Sequence, residues 1–144
     1  MKVVVQRVKK ASVKVKEKTV GKINTGFMLL VGFTEGDNID TVNKMASKIL
    51  KLRIMDDEEG KINNSLDFNK DAILSISQFT LYGDTNKGNR PSFVNAMKGD
   101  KASKLYDEFN NILSKSIKVE KGIFGADMEV SLINDGPITL VIEM

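Results

Sequence analysis

Four short stretches carry residue types that chemistry could use. "SQFT", Ser77–Thr80, places two hydroxyls and an amide at the end of an apolar run. A lone threonine with no histidine nearby is a poor nucleophile. On an unbroken strand Gln78 and Thr80 share a face with Leu74 and Ile76, while Ser77 and Phe79 point the other way. Polar groups among apolar neighbours need hydrogen-bond partners, so a buried pair satisfied by adjacent backbone reads these residues as well as a catalytic pair does. "KGNRPSF", residues 87–93, sets Lys87 and Arg90 beside glycine, where cations and main-chain N–H groups contact phosphates. A solvated loop is the plainer reading of it. "GIFGADM", residues 122–128, brackets Phe124 with Gly122 and Gly125, so backbone can approach a ligand while the ring stacks on a base. Burial of Phe124 in the core fits equally well. "VSLINDGPITLVIEM", residues 130–144, holds Asn134-Asp135-Gly136-Pro137 between strand-like flanks. Asn-Asp-Gly signals a hairpin turn, yet the proline removes the ladder bond a tight hairpin wants next.

Two absences narrow the chemistry. The chain has no cysteine and no histidine, which removes thiol catalysis, disulfides, the Ser-His-Asp triad and the commonest zinc ligands. An enzyme built from this sequence must rely on hydroxyls, carboxylates, lysines, main-chain dipoles or the substrate itself. The formal charge of +3 and pI near 9.0 agree with a nucleic-acid partner without establishing one. Lys14, Lys16 and Lys18 alternate with Val13 and Val15, as on the solvated face of an edge strand. No apolar run approaches the length of a membrane span, and Gln6 and Arg7 interrupt the first apolar patch too early for a signal sequence. The expectation is a cytoplasmic protein with no membrane contact.

The elements that must position these stretches follow from periodicity. The 144 residues suit one domain, 1–144, with no repeat or linker. Strands are expected over 2–8 and 11–16, then over 19–25 and 27–33, the latter two joined at Asn24-Thr25-Gly26. Val42, Met45, Ala46, Ile49 and Leu50 fall at helical spacing, predicting a helix from 38 to 51 capped by Asp37 or Asn38. Residues 56–61 are a turn, 72–82 a central strand, and 83–93 a polar loop. Asp100 is expected to cap a second helix whose stripe of Ala102, Leu105, Tyr106, Phe109, Ile112 and Leu113 packs on the core. Strands over 117–120 and 127–143, the last broken at Gly136-Pro137, close an α+β fold: a small antiparallel β-barrel or sheet with two helices.

"MKVVVQRVKKASV", "SQFTLYGDTNKGNRPSF" and "GIFGADMEVSLINDGPITL" together resemble the D-aminoacyl-tRNA deacylases, also called D-tyrosyl-tRNA deacylases. The resemblance runs the whole length, with a Ser-Gln-x-Thr motif at 77–80 and an Asn-x-Gly-Pro-x-Thr motif at 134–139. Gly83 stands where many members carry alanine, which puts nothing in doubt. The resemblance implies a homodimer that hydrolyses the ester between a D-amino acid and the 3′ end of tRNA, needing no metal or cofactor. It implies that Ser77, Gln78, Phe79 and Thr80 line the catalytic pocket, and that Phe124, Gly125, Ala126 and Met128 hold the terminal adenosine. Asn134, of the second motif, and Arg7 would join the substrate-binding set. Gly136 and Pro137 would form a cis-peptide chiral gate reaching into the partner subunit, fixed in place by Arg7. Related readings are a deacylase acting on L-amino-acid mischarged tRNA, with a trans Gly-Pro bond, and a non-catalytic tRNA-end-binding dimer.

Overall fold

In chain order the elements are β1 (Lys2–Val15), β2 (Lys18–Ile23), β3 (Gly26–Gly32), α1 (Ile39–Leu50), β4 (Met55–Asp56), β5 (Ile62–Asn64), β6 (Ala72–Ser77), a 3-10 helix (Phe79–Tyr82), α2 (Gly99–Ser114), β7 (Lys118–Lys121) and β8 (Glu129–Glu143). They come from a computed structural model that describes residues 1–144. The two strands expected at 2–8 and 11–16 are one 14-residue strand. It runs on because it changes neighbours: its first half pairs with β3, its second half with β2, and β8 follows it along most of its length. Lys16 and Glu17 take left-handed backbone in the β1–β2 turn, so Lys16 leaves the alternating lysine face while Lys14 and Lys18 stay exposed on it.

The sheet order is β2-β1-β3-β6-β7, with β8 also paired to β1. Pairings of β1 with β2, β3 and β8 are antiparallel, but β3–β6 and β6–β7 are parallel. The expected all-antiparallel sheet is therefore mixed. The reason is the helices: the chain goes from β3 to β6 by way of α1, and from β6 to β7 by way of α2. Such crossovers return the chain in its original direction. The two ends of the sheet approach each other, since a Cβ on Gly21 of β2 would lie 3.1 Å from the Lys121 carbonyl oxygen of β7. The sheet is a nearly closed barrel.

Alternation sends side chains to two cores. Phe27, Leu29, Val31 and Ile73 pack under the helices with Val42, Met45, Ile49, Tyr106, Phe109 and Leu113. Met28, Leu74 and Ile76 fill a second cluster on the other face of the sheet. In β1 the odd positions Val3 and Val5 join the first core, yet Ala11 and Val13 join the second. A register shift between Val8 and Lys10 inverts the parity.

Local signals mark the helix starts unevenly. Asn38 caps α1, its side chain accepting from the Asp40 and Thr41 N–H groups. Asp37 is engaged elsewhere, binding the Met1 ammonium at 2.6 Å. α2 begins at Gly99 with no side-chain cap, so Asp100 is a first-turn residue, not the cap expected. Its carboxylate there suits the positive end of the helix dipole. Residues 56–61 turn inside a short β4–β5 hairpin. No helix is long and apolar enough to cross a membrane.

Candidate active site

β6 runs out of neighbours at Ser77, which pairs with Val31 near the end of β3; the next bond, Gln78 N–H to the Val31 carbonyl at 2.7 Å, is the last. The strand expected to reach 82 stops there, and Phe79–Tyr82 coil into the 3-10 helix. Its first internal bond runs from Leu81 N–H to the Gln78 carbonyl, 3.3 Å. The N–H groups of Phe79 and Thr80 come before that bond and have no partner inside the helix. Gln78 and Thr80 do not continue the face of Leu74 and Ile76: Gln78 is half-buried, Thr80 is exposed, and the Gln78 amide donates to the Thr80 hydroxyl. No base stands beside that hydroxyl.

A cavity of about 620 Å³ opens at this point. Both parallel strands β3 and β6 end on it, the place where strand carboxyl ends commonly receive ligands. One wall is Val31, Gly32, Phe33, Ile76, Ser77, Gln78 and Phe79; the opposite wall is Phe124, Gly125, Ala126, Asp127, Met128 and Val130. Phe93, Ala96, Met97, Gly99 and Ala102 complete the lining, Met97 and Ala102 from the buried core. Phe79 and Phe93 meet edge to face, 5.0 Å between centroids, and both remain exposed to the opening.

The second wall is anchored on one carbonyl. Ser75 O accepts from Gly122 N–H at 3.0 Å and from the Tyr106 hydroxyl at 2.8 Å. Burial pushes the Tyr106 phenol above its ordinary pKa, which keeps it protonated as a donor. The Tyr106 ring lies 5.9 Å from that of Phe124. Phe124 thus packs on the core through one side and lines the cavity with the other, so both readings of it hold in part. Gly122 lets Met128 pack close, since a Cβ there would sit 2.5 Å from the Met128 sulfur and push that side chain aside. Gly125 is needed for conformation, with φ of 75° in the 123–126 turn.

The remaining expected site residues gather elsewhere. Arg7 is 4% exposed and its guanidinium ties two segments together. Nη1 donates to the Ile54 carbonyl at 3.0 Å and to Asp56 Oδ1 at 2.8 Å; Nε donates to the Asp135 carbonyl at 3.2 Å and lies 3.3 Å from Asp135 Oδ2. The neighbouring Gly136-Pro137 peptide is cis, and both residues are exposed. β8 runs through them without the expected break, but its pairing with β1 lapses between Asn134, opposite Val8, and Thr139, opposite Gln6. Arg7, Thr80, Asn134, Gly136 and Pro137 do not line the cavity of their own chain, nor do Lys87 and Arg90.

Sequence reasoning missed Ile54 and Asp56 as acceptors for Arg7, and Gly32, Phe93 and Met97 as cavity walls. One signal was present: an arginine among the buried valines of β1 demands acceptors, and "DDEEG" offers carboxylates. Nothing local marks Gly32 or Met97.

Comparison with known proteins places this geometry. A family model described as D-Tyr-tRNA(Tyr) deacylase matches residues 4–143. The chain is 56% identical over 145 residues, with all of both proteins covered, to a D-aminoacyl-tRNA deacylase of Lactobacillus gasseri. A solved structure described as c-Myc DNA Unwinding Element Binding Protein superimposes with a TM-score of 0.93 at 39% identity, covering 100% of this chain and 99% of that one. One described as a probable eukaryotic D-amino acid tRNA deacylase has the same fold, with a TM-score of 0.85 at 20% identity over 99% of this chain and 98% of that one. With a family match across nearly every residue and a relative of this identity end to end, the chain belongs to the D-Tyr-tRNA(Tyr) deacylases, a family of hydrolases.

Proposed function

We propose that this protein, as a single cytoplasmic domain acting in a homodimer, hydrolyses the ester between a D-amino acid and the 3′ end of tRNA. The observation that carries the reading is the cavity itself: Ser77, Gln78 and Phe79, where a 3-10 helix starts with N–H groups that have no partner inside it, line one part, and the Phe124–Met128 turn lines another. Phe124, with Gly125, Ala126 and Met128, takes the terminal adenosine by stacking and close backbone approach. Water adds to the ester carbonyl carbon, and the N–H groups of Phe79 and Thr80 hold the developing oxyanion. The C–O bond to the ribose then breaks, releasing free amino acid and the tRNA hydroxyl. The neighbouring ribose hydroxyl orients the water, so no histidine is called on.

Handedness is read by main chain. Gly136-Pro137 lies outside its own cavity and exposed, which suits a loop entering the cavity of a second copy. A carbonyl there meets the α-amino group, a D side chain leaves toward solvent, and an L side chain runs into the wall. The test is release of D-Tyr from D-Tyr-tRNA with L-Tyr-tRNA left intact; equal rates on the two substrates would sink the proposal.

A second expected outcome concerns Thr80. Because its hydroxyl is held by the Gln78 amide and has no base, Thr80→Ala should keep kcat within about tenfold of the parent protein. A loss of many thousandfold in single-turnover assays would point to a covalent threonine instead.

A further inference from the structure

Away from the cavity, a groove of about 680 Å³ is lined by Asn43, Lys44, Ser47, Lys48, Lys51, Leu52, Arg53 and Met144. Its lining side chains include four cations and no carboxylate. None of the four forms an ion pair, although Lys2, Lys61, Lys70, Lys101, Lys118 and Lys121 all do. Lys44 and Lys48 lie four residues apart on α1, and Lys51, three residues further, is its C-cap, so the three follow one side of the helix to its end. Arg53 is held in place by neutral groups, its guanidinium donating to the carbonyl and side-chain oxygens of Asn63. Its charge is fixed in direction and left uncompensated.

We infer that this groove docks the sugar-phosphate backbone of a double-stranded RNA stem. Lys44 to Lys51 covers about 10 Å of helix axis at 1.5 Å per residue. An RNA backbone carries one negative charge per nucleotide, so three lysines along that span offer each of several neighbouring phosphates a cation. Lysines on a helix's last turn also suit its dipole, but that role needs neither Lys44 nor the fixed Arg53. The groove adjoins the Arg7 cluster, because Arg53 precedes Ile54, whose carbonyl Arg7 binds. Resting on the function proposed above, the stem is the acceptor stem of the substrate. The cations of one subunit then flank the loop that enters its partner's cavity.

The test is the combined variant Lys44→Gln, Lys48→Gln, Lys51→Gln, which leaves the Arg53–Asn63 bonds in place. Binding of an RNA duplex that carries no aminoacyl ester is titrated across salt concentrations for the variant and the parent protein. Each lost phosphate contact lowers the slope of log K against log salt by about 0.9, so a fall of roughly 2 to 3 is expected. KM for D-aminoacyl-tRNA should rise about tenfold or more, while hydrolysis of D-aminoacyl-adenosine, which has no stem, stays unchanged. An unaltered slope would overturn the inference. So would an equal fall in the control variant Lys14→Gln, Lys18→Gln, Lys22→Gln on the β1–β2 hairpin, or parent protein that binds anionic vesicles but not the duplex. A parent protein that is inert toward every ester yet binds the duplex through this groove would sink the deacylase reading and leave the groove standing.

Discussion

Arg7→Met is expected to lower kcat/KM for D-aminoacyl-tRNA by about a hundredfold or more while costing the fold only about 2–3 kcal/mol. The guanidinium is enclosed and makes contacts to two carbonyls and two carboxylates from segments far apart in sequence. Methionine would fill much of the space but satisfy none of the acceptors. Breaking a fully buried ion pair typically costs about 3–5 kcal/mol. Here the discount is substantial: the Asp56 side chain is 46% exposed and that of Asp135 32%, so both can rehydrate. The Ile54 carbonyl is the acceptor left buried. At about 2–4 °C per kcal/mol for a chain of this size, Tm should fall by about 5–10 °C. Function is expected to suffer more, because the Asp135 contacts are what tie the proposed Gly136-Pro137 gate to the sheet. Arg7→Lys keeps the charge but cannot reach both segments with a planar fork, so it should recover stability better than activity. Assays well below the melting temperature separate the two effects. A folded Arg7→Met protein with parental kcat/KM would show that the loop needs no such tie.

Much of this fold is written locally. The buried stripe of α1, the Asn38 cap and the alternating valines of β1 each follow from residues close in sequence, and each stands where the pattern puts it. Non-local facts were out of reach. The direction of β6 depends on what lies between it and β3, and its end at Ser77 depends on where β3 stops offering backbone. Neither is a property of "AILSISQFTLY", whose β-forming residues continue past the true end of the strand. The same limit applies to the site. Of the residues the motif stretches single out, Ser77, Gln78, Phe79, Phe124, Gly125, Ala126 and Met128 line one cavity together. The sequence could not say that Thr80 would turn outward, or that Arg7 would take acceptors from the β4 region and from Asp135. Where a side chain's role is decided by a distant partner, composition only signals that a partner is required.

Gly26 shows how such a distant contact supports the site, and Gly26→Ala should destabilise the protein by about 3–5 kcal/mol. In sequence Gly26 closes an Asn-Thr-Gly turn, a place that asks only for a flexible residue. In the fold it also opens β3 against β6, paired with Ala72, at φ of 141°. A Cβ there would lie 1.8 Å from the Ala72 carbonyl oxygen and 2.9 Å from two more Ala72 backbone atoms. No rotamer relieves a clash between backbone atoms, so the parallel ladder must open at its start. Gly36→Ala separates this clash from the cost of the conformation. Gly36 also has positive φ, 96°, but a Cβ on it meets nothing within 4 Å. That control should lose only about 1 kcal/mol. Urea midpoints for the two variants give the difference directly, provided the slopes agree. The consequence for catalysis follows from register: the ladder that begins at Gly26 and Ala72 ends with Val31 beside Ser77, at the cavity floor. If Gly26→Ala costs no more than Gly36→Ala, β6 can shift against β3 without penalty, and close packing at Gly26 is not what places Ser77.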